Sequence, residues 1–330
     1  MTARLLSLGG AAQPISLNRL ATAAGRIFTI LLAVYLIRIT RTDERLDEGL
    51  LLSFGVFVGL YLVFGRRGVL RPVILYIIAT AAFAQVRLFA DQTGIPTSFT
   101  YVVDLERAAF GGVVPTVWLQ EHFYEVGKAS LVAVYASSVY LSYFVAFQIA
   151  ALAVWLRKRS FFPTYATSIV LASYIGLMTC LILPTAPPWM AGQEGHIAPV
   201  HRVVEQLLSS ADSSAYDGGS SVVGVNQVAA MPSLHMALTV LVMLTVWRFT
   251  GNRFLRLLSV AYAASMAFAL VYLGEHYATD EFFGVITAGV AWYCANRVWS
   301  ADGTKFRLPK IAWRAAAEAP AAPPTVSTAD

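Results

Sequence analysis

The stretch MPSLHMALTVLVMLTVWRFT, residues 231–250, joins a polar island to a long apolar run. Pro232, Ser233 and His235 lie among its first five residues, and the run that follows carries no charged side chain until its end. Such a run predicts a membrane-spanning helix, here over residues 232–249. Because ionisable groups at membrane depth are costly, a serine and a histidine at the edge of this helix point to a specific role.

The rest of the chain is equally apolar. It has 330 residues, of which 57% are hydrophobic and 13% are charged, whereas a soluble domain carries about 25% charged residues. We therefore predict an all-α polytopic membrane protein with about eight transmembrane helices. The predicted spans are 21–38, 50–65, 70–90, 130–156, 163–184, 232–249, 254–273 and 280–298.

The predicted spans divide the chain into three parts. Residues 1–69 form an N-terminal cytoplasmic segment with two extra spans, and residues 70–298 form a six-span core. Residues 299–330 form a cytoplasmic tail whose Ala- and Pro-rich end is expected to be disordered. The first 20 residues do not have the apolar core of a cleaved signal peptide. The formal net charge of +5 is explained by membrane topology and predicts no nucleic-acid partner.

The basic residues predict how the chain crosses the membrane. Seventeen of the 24 Lys and Arg residues lie in or beside one set of loops, and seven lie beside the other set. Cytoplasmic loops are rich in Lys and Arg, so we expect both termini in the cytoplasm. All five histidines and the two longest connections, 91–129 and 185–231, then lie on the extracytoplasmic face. Within these connections, only the Ser-rich stretch 209–224 is expected to be flexible.

A second polar island, GEHYATDEFFG at residues 274–284, precedes the last predicted span. His276 and Asp280 are four residues apart, so on a helix they share one face about one turn apart. A carboxylate that binds one ring nitrogen fixes the imidazole tautomer and leaves the other nitrogen as a base or nucleophile. This spacing therefore predicts a reactive histidine.

The first polar island, at residues 231–235, has the features of an anion-binding site. Pro232 fits the first turn of a helix, and Ser233 and His235 would lie in that turn. Free N–H groups at a helix start favour an anion, so a phosphate there would have the Ser233 hydroxyl as a ligand and His235 as a general acid. Alone, the proline and serine are a common helix cap, and the histidine an interfacial residue. On consecutive spans of one predicted face, the two islands together predict a functional cluster.

Taken together, PSLH at 232–235 and HYATD at 276–280 resemble the second and third signature motifs of the phosphatidic acid phosphatase type 2 superfamily. These are membrane enzymes with a six-helix core, here about residues 70–298. Within the superfamily, HYATD and PTAPPWM at 184–190 look most like the branch that contains inositol phosphorylceramide synthase and sphingomyelin synthase. A further segment, DLERAAFGGVVPTVWLQ at 104–120, is also similar to this branch and predicts an interfacial or re-entrant helix–turn.

The resemblance implies a role for each matching residue. His276 is the nucleophile that forms a phosphohistidine, and Asp280 orients it. His235 protonates the leaving alcohol and later deprotonates the acceptor, while Ser233 helps to hold the phosphate. The resemblance implies no metal and no cofactor.

The chain departs from the phosphatase pattern where that pattern has cations. The arginine expected six residues before the nucleophile is Leu270, and the stretch 176–184 has no basic residue. A phosphate still needs cations or several donors. On the predicted extracytoplasmic face the candidates are Arg87, Lys128, Arg107 and Arg202, of which Arg87 is the first choice, Lys128 the second and Arg202 the third. Arg87 can also be a snorkelling arginine or a partner of Asp91.

Three functions are compatible with these motifs. The first is a phosphotransferase that moves an inositol-phosphate-like headgroup from a phospholipid donor to a lipid or sugar-lipid hydroxyl. The second is a lipid-phosphate or polyprenyl-diphosphate phosphatase with water as the acceptor. The third is a transporter that uses the His/Asp cluster as a proton relay, which the lack of mid-membrane charges disfavours. The expected location is a bacterial plasma membrane, and the sequence does not predict the oligomeric state.

Overall fold

The computed structural model describes residues 71–87, 94–211 and 228–299, all within one compact unit of the chain. These residues form ten helices and no strand, apart from isolated β-bridges. The helices are α1 (Arg71–Arg87), α2 (Thr100–Ala109), α3 (Pro115–Phe123), α4 (Leu131–Arg157), α5 (Phe162–Ile182), α6 (Pro188–Gln193), α7 (Val203–Ala211), α8 (Leu234–Phe249), α9 (Arg253–Tyr272) and α10 (Ala278–Val298).

Six of these helices correspond to the last six predicted spans, with ends that differ by only a few residues. They are α1, α4, α5, α8, α9 and α10. By length and composition, α4, α5 and α9 can cross a membrane, whereas α8 and the Arg71–Ala84 part of α1 are apolar but shorter. The predicted spans 21–38 and 50–65, and the tail from residue 300, lie outside the described residues. A total of eight spans therefore stays a prediction.

Helix α8 lies at the centre of the described bundle. It contacts α4, α5, α9 and α10, while α1 packs on α5. Small residues such as Ala237 and Ala288 let the helices approach closely, and Leu241 and Met266 fill the space between them without solvent exposure. The motif that begins α8 is therefore surrounded by other helices at one end of the bundle.

The two long connections fold over that end of the bundle. The segment 104–120 contains the second half of α2, most of α3 and the turn between them, in which Gly111 and Gly112 both have positive φ. The predicted helix–turn is confirmed, and its interfacial or re-entrant position stays a prediction. The connection after α5 contains α6 and α7, and most of the stretch predicted to be flexible lies outside the described residues.

Three extended pieces of these connections pair through backbone hydrogen bonds. Parallel bridges join Ser98 to Thr185 and Thr185 to Ala229. The Thr185 N–H donates to the Val228 carbonyl at 2.9 Å, and the Ala230 N–H donates to the Thr185 carbonyl at 3.2 Å. This pairing fixes the backbone immediately before the MPSLH motif.

Candidate active site

A tight turn at Gly274, between α9 and α10, positions His276. Helix α9 ends at Tyr272, and Gly274 follows with a φ of +80°, which a residue with a side chain rarely adopts. A Cβ on Gly274 would also lie 2.9 Å from the His201 carbonyl oxygen. Glycine therefore lets the chain pass close to the second connection and place His276 just before α10.

Both neighbours of the His276 ring can be identified. Its Nδ1 lies 2.9 Å from the Ala230 carbonyl oxygen, which can only accept, so Nδ1 carries the proton. The expected orienting group, Asp280, has its Oδ2 3.7 Å from Nδ1, which is too long for a hydrogen bond. That oxygen instead accepts from the Tyr277 N–H at 2.9 Å. A backbone carbonyl therefore fixes the tautomer, and the nearby carboxylate caps the start of α10.

The start of α8 differs in detail from the prediction. Pro232 precedes the helix rather than lying in its first turn, because Ser233 is the N-cap and α8 begins at Leu234. The Ser233 Oγ accepts from the Met236 N–H at 3.2 Å. His235 does lie in the first turn.

The two motif histidines contact each other directly. The His235 Nδ1 lies 3.2 Å from the His276 Nε2. Because Nδ1 of His276 carries the proton, its Nε2 is an acceptor, and His235 donates this hydrogen bond. The other nitrogen of His235, Nε2, is buried and has no hydrogen-bond partner among the described residues.

An aromatic wall from α4 packs around His235. The ring of Tyr143 lies 4.2 Å from the His235 ring, that of Tyr140 lies 5.0 Å away and that of Phe144 lies 6.2 Å away, as measured between centroids. These contacts limit the rotation of the imidazole and shield it on one side.

A cavity of about 90 Å³ lies beside the histidine pair. Both histidines, two arginines and Glu275 form its polar lining, and most of the other lining side chains are apolar or aromatic. Among the described residues, the lining comprises Phe83, Arg87, Tyr140, Tyr143, Phe144, Gly176, Leu177, Cys180, Pro187, Trp189, Arg202, Ala229, Ala230, Pro232, Leu234, His235, Glu275 and His276.

A sequence model of the PAP2 superfamily, named for phosphatidic acid phosphatase type 2, matches residues 100–294, which is more than half of the chain. The chain belongs to the PAP2 superfamily. No curated protein and no solved structure matches it. Membership identifies a membrane protein of a superfamily whose members are generally phosphatases or phosphotransferases, and it indicates lipid substrates.

Two of the predicted cations line the cavity of this PAP2 protein. Arg87 lies at the end of α1. Arg202 stacks on the Trp189 ring at 5.0 Å, and its Nε donates to Glu275 Oε1 at 2.8 Å. Its Nη1 also lies 3.3 Å from a carboxylate oxygen of Glu205. The Arg202 guanidinium is therefore held in place by an aromatic ring and two carboxylates.

Two other predicted phosphate ligands do not line the cavity. Ser233 is fully buried and acts as the cap of α8. Lys128 is exposed and pairs with Glu125 in the connection before α4. Sequence position alone could not separate these residues from Arg87 and Arg202, because all four were predicted on the same face.

Sequence reasoning missed three polar or aromatic residues that line the cavity of the candidate site. Glu275 is adjacent to His276 inside the quoted motif, but nothing in the sequence links it to Arg202, 73 residues away. Tyr140 and Tyr143 are three residues apart on α4, a spacing that places them on one helix face. The sequence could therefore have predicted that the two tyrosines share a face of α4, but it could not predict that this face packs against His235. Among the described residues, no group of three His, Cys, Asp or Glu side chains could hold a metal ion.

Proposed function

We propose that the protein transfers a phospho-headgroup from a phospholipid to a lipid or sugar-lipid hydroxyl through a phosphohistidine on His276. The hydrogen bond between His235 Nδ1 and His276 Nε2 carries this proposal, because it pairs a nucleophile with a proton donor at the cavity. His276 has its proton on Nδ1, so the lone pair of Nε2 is directed away from Ala230.

The first step forms the phosphoenzyme. The donor phosphate displaces the hydrogen bond between the histidines, and His276 Nε2 attacks phosphorus. The bond from phosphorus to the diacylglycerol oxygen breaks, and His235, which takes up a second proton when the anionic donor phosphate binds beside it, gives one proton to that leaving oxygen. The Ala230 carbonyl stabilises the positive ring of phosphorylated His276, while Arg87 and Arg202 interact with the phosphate oxygens.

The second step reverses the proton transfer. The acceptor hydroxyl gives its proton to neutral His235 and attacks phosphorus, and the bond from phosphorus to His276 breaks. The headgroup phosphate is then on the acceptor, and both histidines have returned to their starting states. Asp280, 3.7 Å from His276 Nδ1, adds negative charge beside the ring in both steps.

Two features favour transfer over hydrolysis. The position where the phosphatase pattern has its arginine is Leu270, which is fully buried in the apolar core and cannot bind phosphate. The cavity has an aromatic wall, which limits the access of water to a phosphoenzyme. These features also support the assignment to the branch with inositol phosphorylceramide synthase. The proposed setting is a bacterial plasma membrane with both termini in the cytoplasm.

The dependence on an acceptor tests this proposal. Purified protein is incubated with phospholipids, or with a polyprenyl diphosphate, in the presence and absence of lipid hydroxyl acceptors. We expect headgroup transfer only with an acceptor, and little release of free phosphate without one. Rapid release of phosphate from polyprenyl diphosphate without an acceptor would show that the protein is a phosphatase.

A further inference from the structure

A buried carboxylate from another part of the chain holds the start of α10. Glu106 lies on α2 and has no solvent exposure. Its Oε1 accepts from the Ala278 N–H and its Oε2 from the Thr279 N–H, each at 3.0 Å. These are the first N–H groups of α10, which have no partner within a helix. Both oxygens of a single carboxylate therefore bind the backbone that follows His276.

Burying the Glu106 carboxylate costs free energy, so its place at the start of α10 indicates a specific role. A buried carboxylate is unfavourable unless it is well hydrogen-bonded, and a helix start can be capped by a nearby Ser, Thr, Asp or Asn instead. The carboxyl groups of Asp280 and Glu281 on α10 are close enough to interact electrostatically with that of Glu106. Glu106 therefore adds a further acidic group to an already acidic helix start.

The segment that contains Glu106 also supports the other partner of His276. Ser98, just before α2, is bridged to Thr185, and Thr185 is bridged to Ala229. This pairing fixes Ala230, whose carbonyl accepts from His276 Nδ1. One segment thus holds the carbonyl on one side of His276, and through Glu106 it holds α10 on the other side.

We propose that Glu106 is a positioning residue for His276, which keeps Nδ1 on the Ala230 carbonyl and Nε2 towards His235. It does not line the cavity, so it acts on the orientation of the nucleophile and not on substrate binding. The kinetic part of this inference rests on the proposed function, whereas its geometric part does not.

Three variants test the role of Glu106. Glu106→Gln keeps the size of the side chain, but its single carbonyl oxygen can replace only one of the two acceptors of the Ala278 and Thr279 N–H groups. Glu106→Asp keeps both acceptor oxygens on a shorter side chain. Asp104→Asn is the matched control, because Asp104 is an exposed carboxylate on the same helix. Turnover and KM are measured on purified full-length protein with phospholipid and a lipid acceptor.

We expect Glu106→Gln to lower kcat about 10- to 100-fold, because a displacement of the nucleophile by about 1 Å can have an effect of this size. KM should remain within about twofold, and Asp104→Asn should behave as the wild type. Glu106→Asp should recover part of the lost kcat. A Glu106→Gln protein with the kcat of Asp104→Asn overturns the proposal, as does folded Glu106→Gln protein in which only KM changes.

A spectroscopic measurement tests the role of Glu106 even if the wild type has no lipid turnover or Glu106→Gln does not fold. In protein labelled with 15N-histidine, the His276 signals are assigned by comparison with His276→Ala. We expect the wild type to show protonated Nδ1, and Glu106→Gln to show a mixture of tautomers. If the wild type has no lipid turnover, the proposed function fails and this spectrum alone decides on Glu106. If Glu106→Gln does not fold, Glu106→Asp is used, and a spectrum and kcat equal to the wild type overturn the proposal.

Discussion

The two ring nitrogens of His276 have different partners, which fix the proton on Nδ1 and leave the lone pair on Nε2. Nδ1 donates to the Ala230 carbonyl and Nε2 accepts from His235. Sequence spacing correctly places Asp280 beside His276, but a spacing of four residues cannot show whether a carboxylate or a carbonyl makes the hydrogen bond. The carbonyl comes from a residue 46 positions away, and no local pattern predicts that contact.

The cavity cations provide a test at the residue scale. Arg87→Gln should lower kcat/KM about 100-fold, because it removes a charged group that lines the cavity where the phosphate is proposed to bind. Lys128→Gln is the control, since Lys128 is exposed and pairs with Glu125 away from the cavity. Steady-state kinetics on both purified variants check this expectation. Equal losses in the two variants would mean that the cavity does not bind the phosphate.

The pH dependence of stability provides a second test. Burial raises the pKa of Glu106, with Asp280 adding to the rise, while hydrogen bonds from Thr279 and Ala278 offset part of it. A carboxyl whose pKa is raised by folding binds more protons in the folded state. Its stabilising contribution is therefore present at low pH, below the unfolded pKa of about 4.3, and is lost as pH rises through the folded pKa.

Glu106→Gln removes this titration. The free energy of unfolding of the wild type, measured relative to Glu106→Gln, should therefore decrease as pH rises above about 4.3. Unfolding of both proteins in the same detergent at several pH values measures the difference. A difference that grows with pH would show that folding lowers the pKa of Glu106 instead.

Close approach of α8 and α10 sets the geometry at the scale of the helices. A Cβ on Gly284 of α10 would lie 2.5 Å from the Ser233 carbonyl oxygen, a backbone atom at the start of α8. His235 lies in the first turn of α8 and His276 lies just before α10, so the close approach at Gly284 affects the distance between the histidines. No substitution fits here without a shift of one helix.

Gly284→Ala should therefore lower kcat/KM by about 10-fold or more, because it moves α10 away from the start of α8. Gly289→Ala is the matched control on the same helix, since a Cβ there meets no atom within 4 Å. We expect the control to keep wild-type activity, with stability unchanged or higher by up to about 1 kcal/mol. Activity and thermal unfolding of the two variants check this, and wild-type activity in Gly284→Ala would contradict it.

The helices themselves were predictable and their contacts were not. Long apolar runs predicted α1, α4, α5, α8, α9 and α10, because hydropathy is a local signal that survives in a single sequence. The pairing of Ser98, Thr185 and Ala229 has no such signal, since it joins single residues far apart in the chain. Pro232 was wrongly placed inside α8 because a proline before the cap and a proline in the first turn give almost the same pattern.

At the scale of the whole molecule, one end of the bundle contains every element of the proposed chemistry. The starts of α8 and α10, the end of α1 and the two connections all contribute to the cavity or support it. The orientation across the membrane stays a prediction from the basic residues.

The most direct test of the central claim is to trap the phosphoenzyme. Purified protein is incubated with a phospholipid labelled in its phosphate, denatured and cleaved, and the labelled peptide is identified. The account predicts an acid-labile label on His276 that is lost in His276→Ala. Exposed His122 provides the control, and His122→Ala should be labelled as the wild type. A label on another residue, or lipid product formed at the wild-type rate by His276→Ala, would contradict the account.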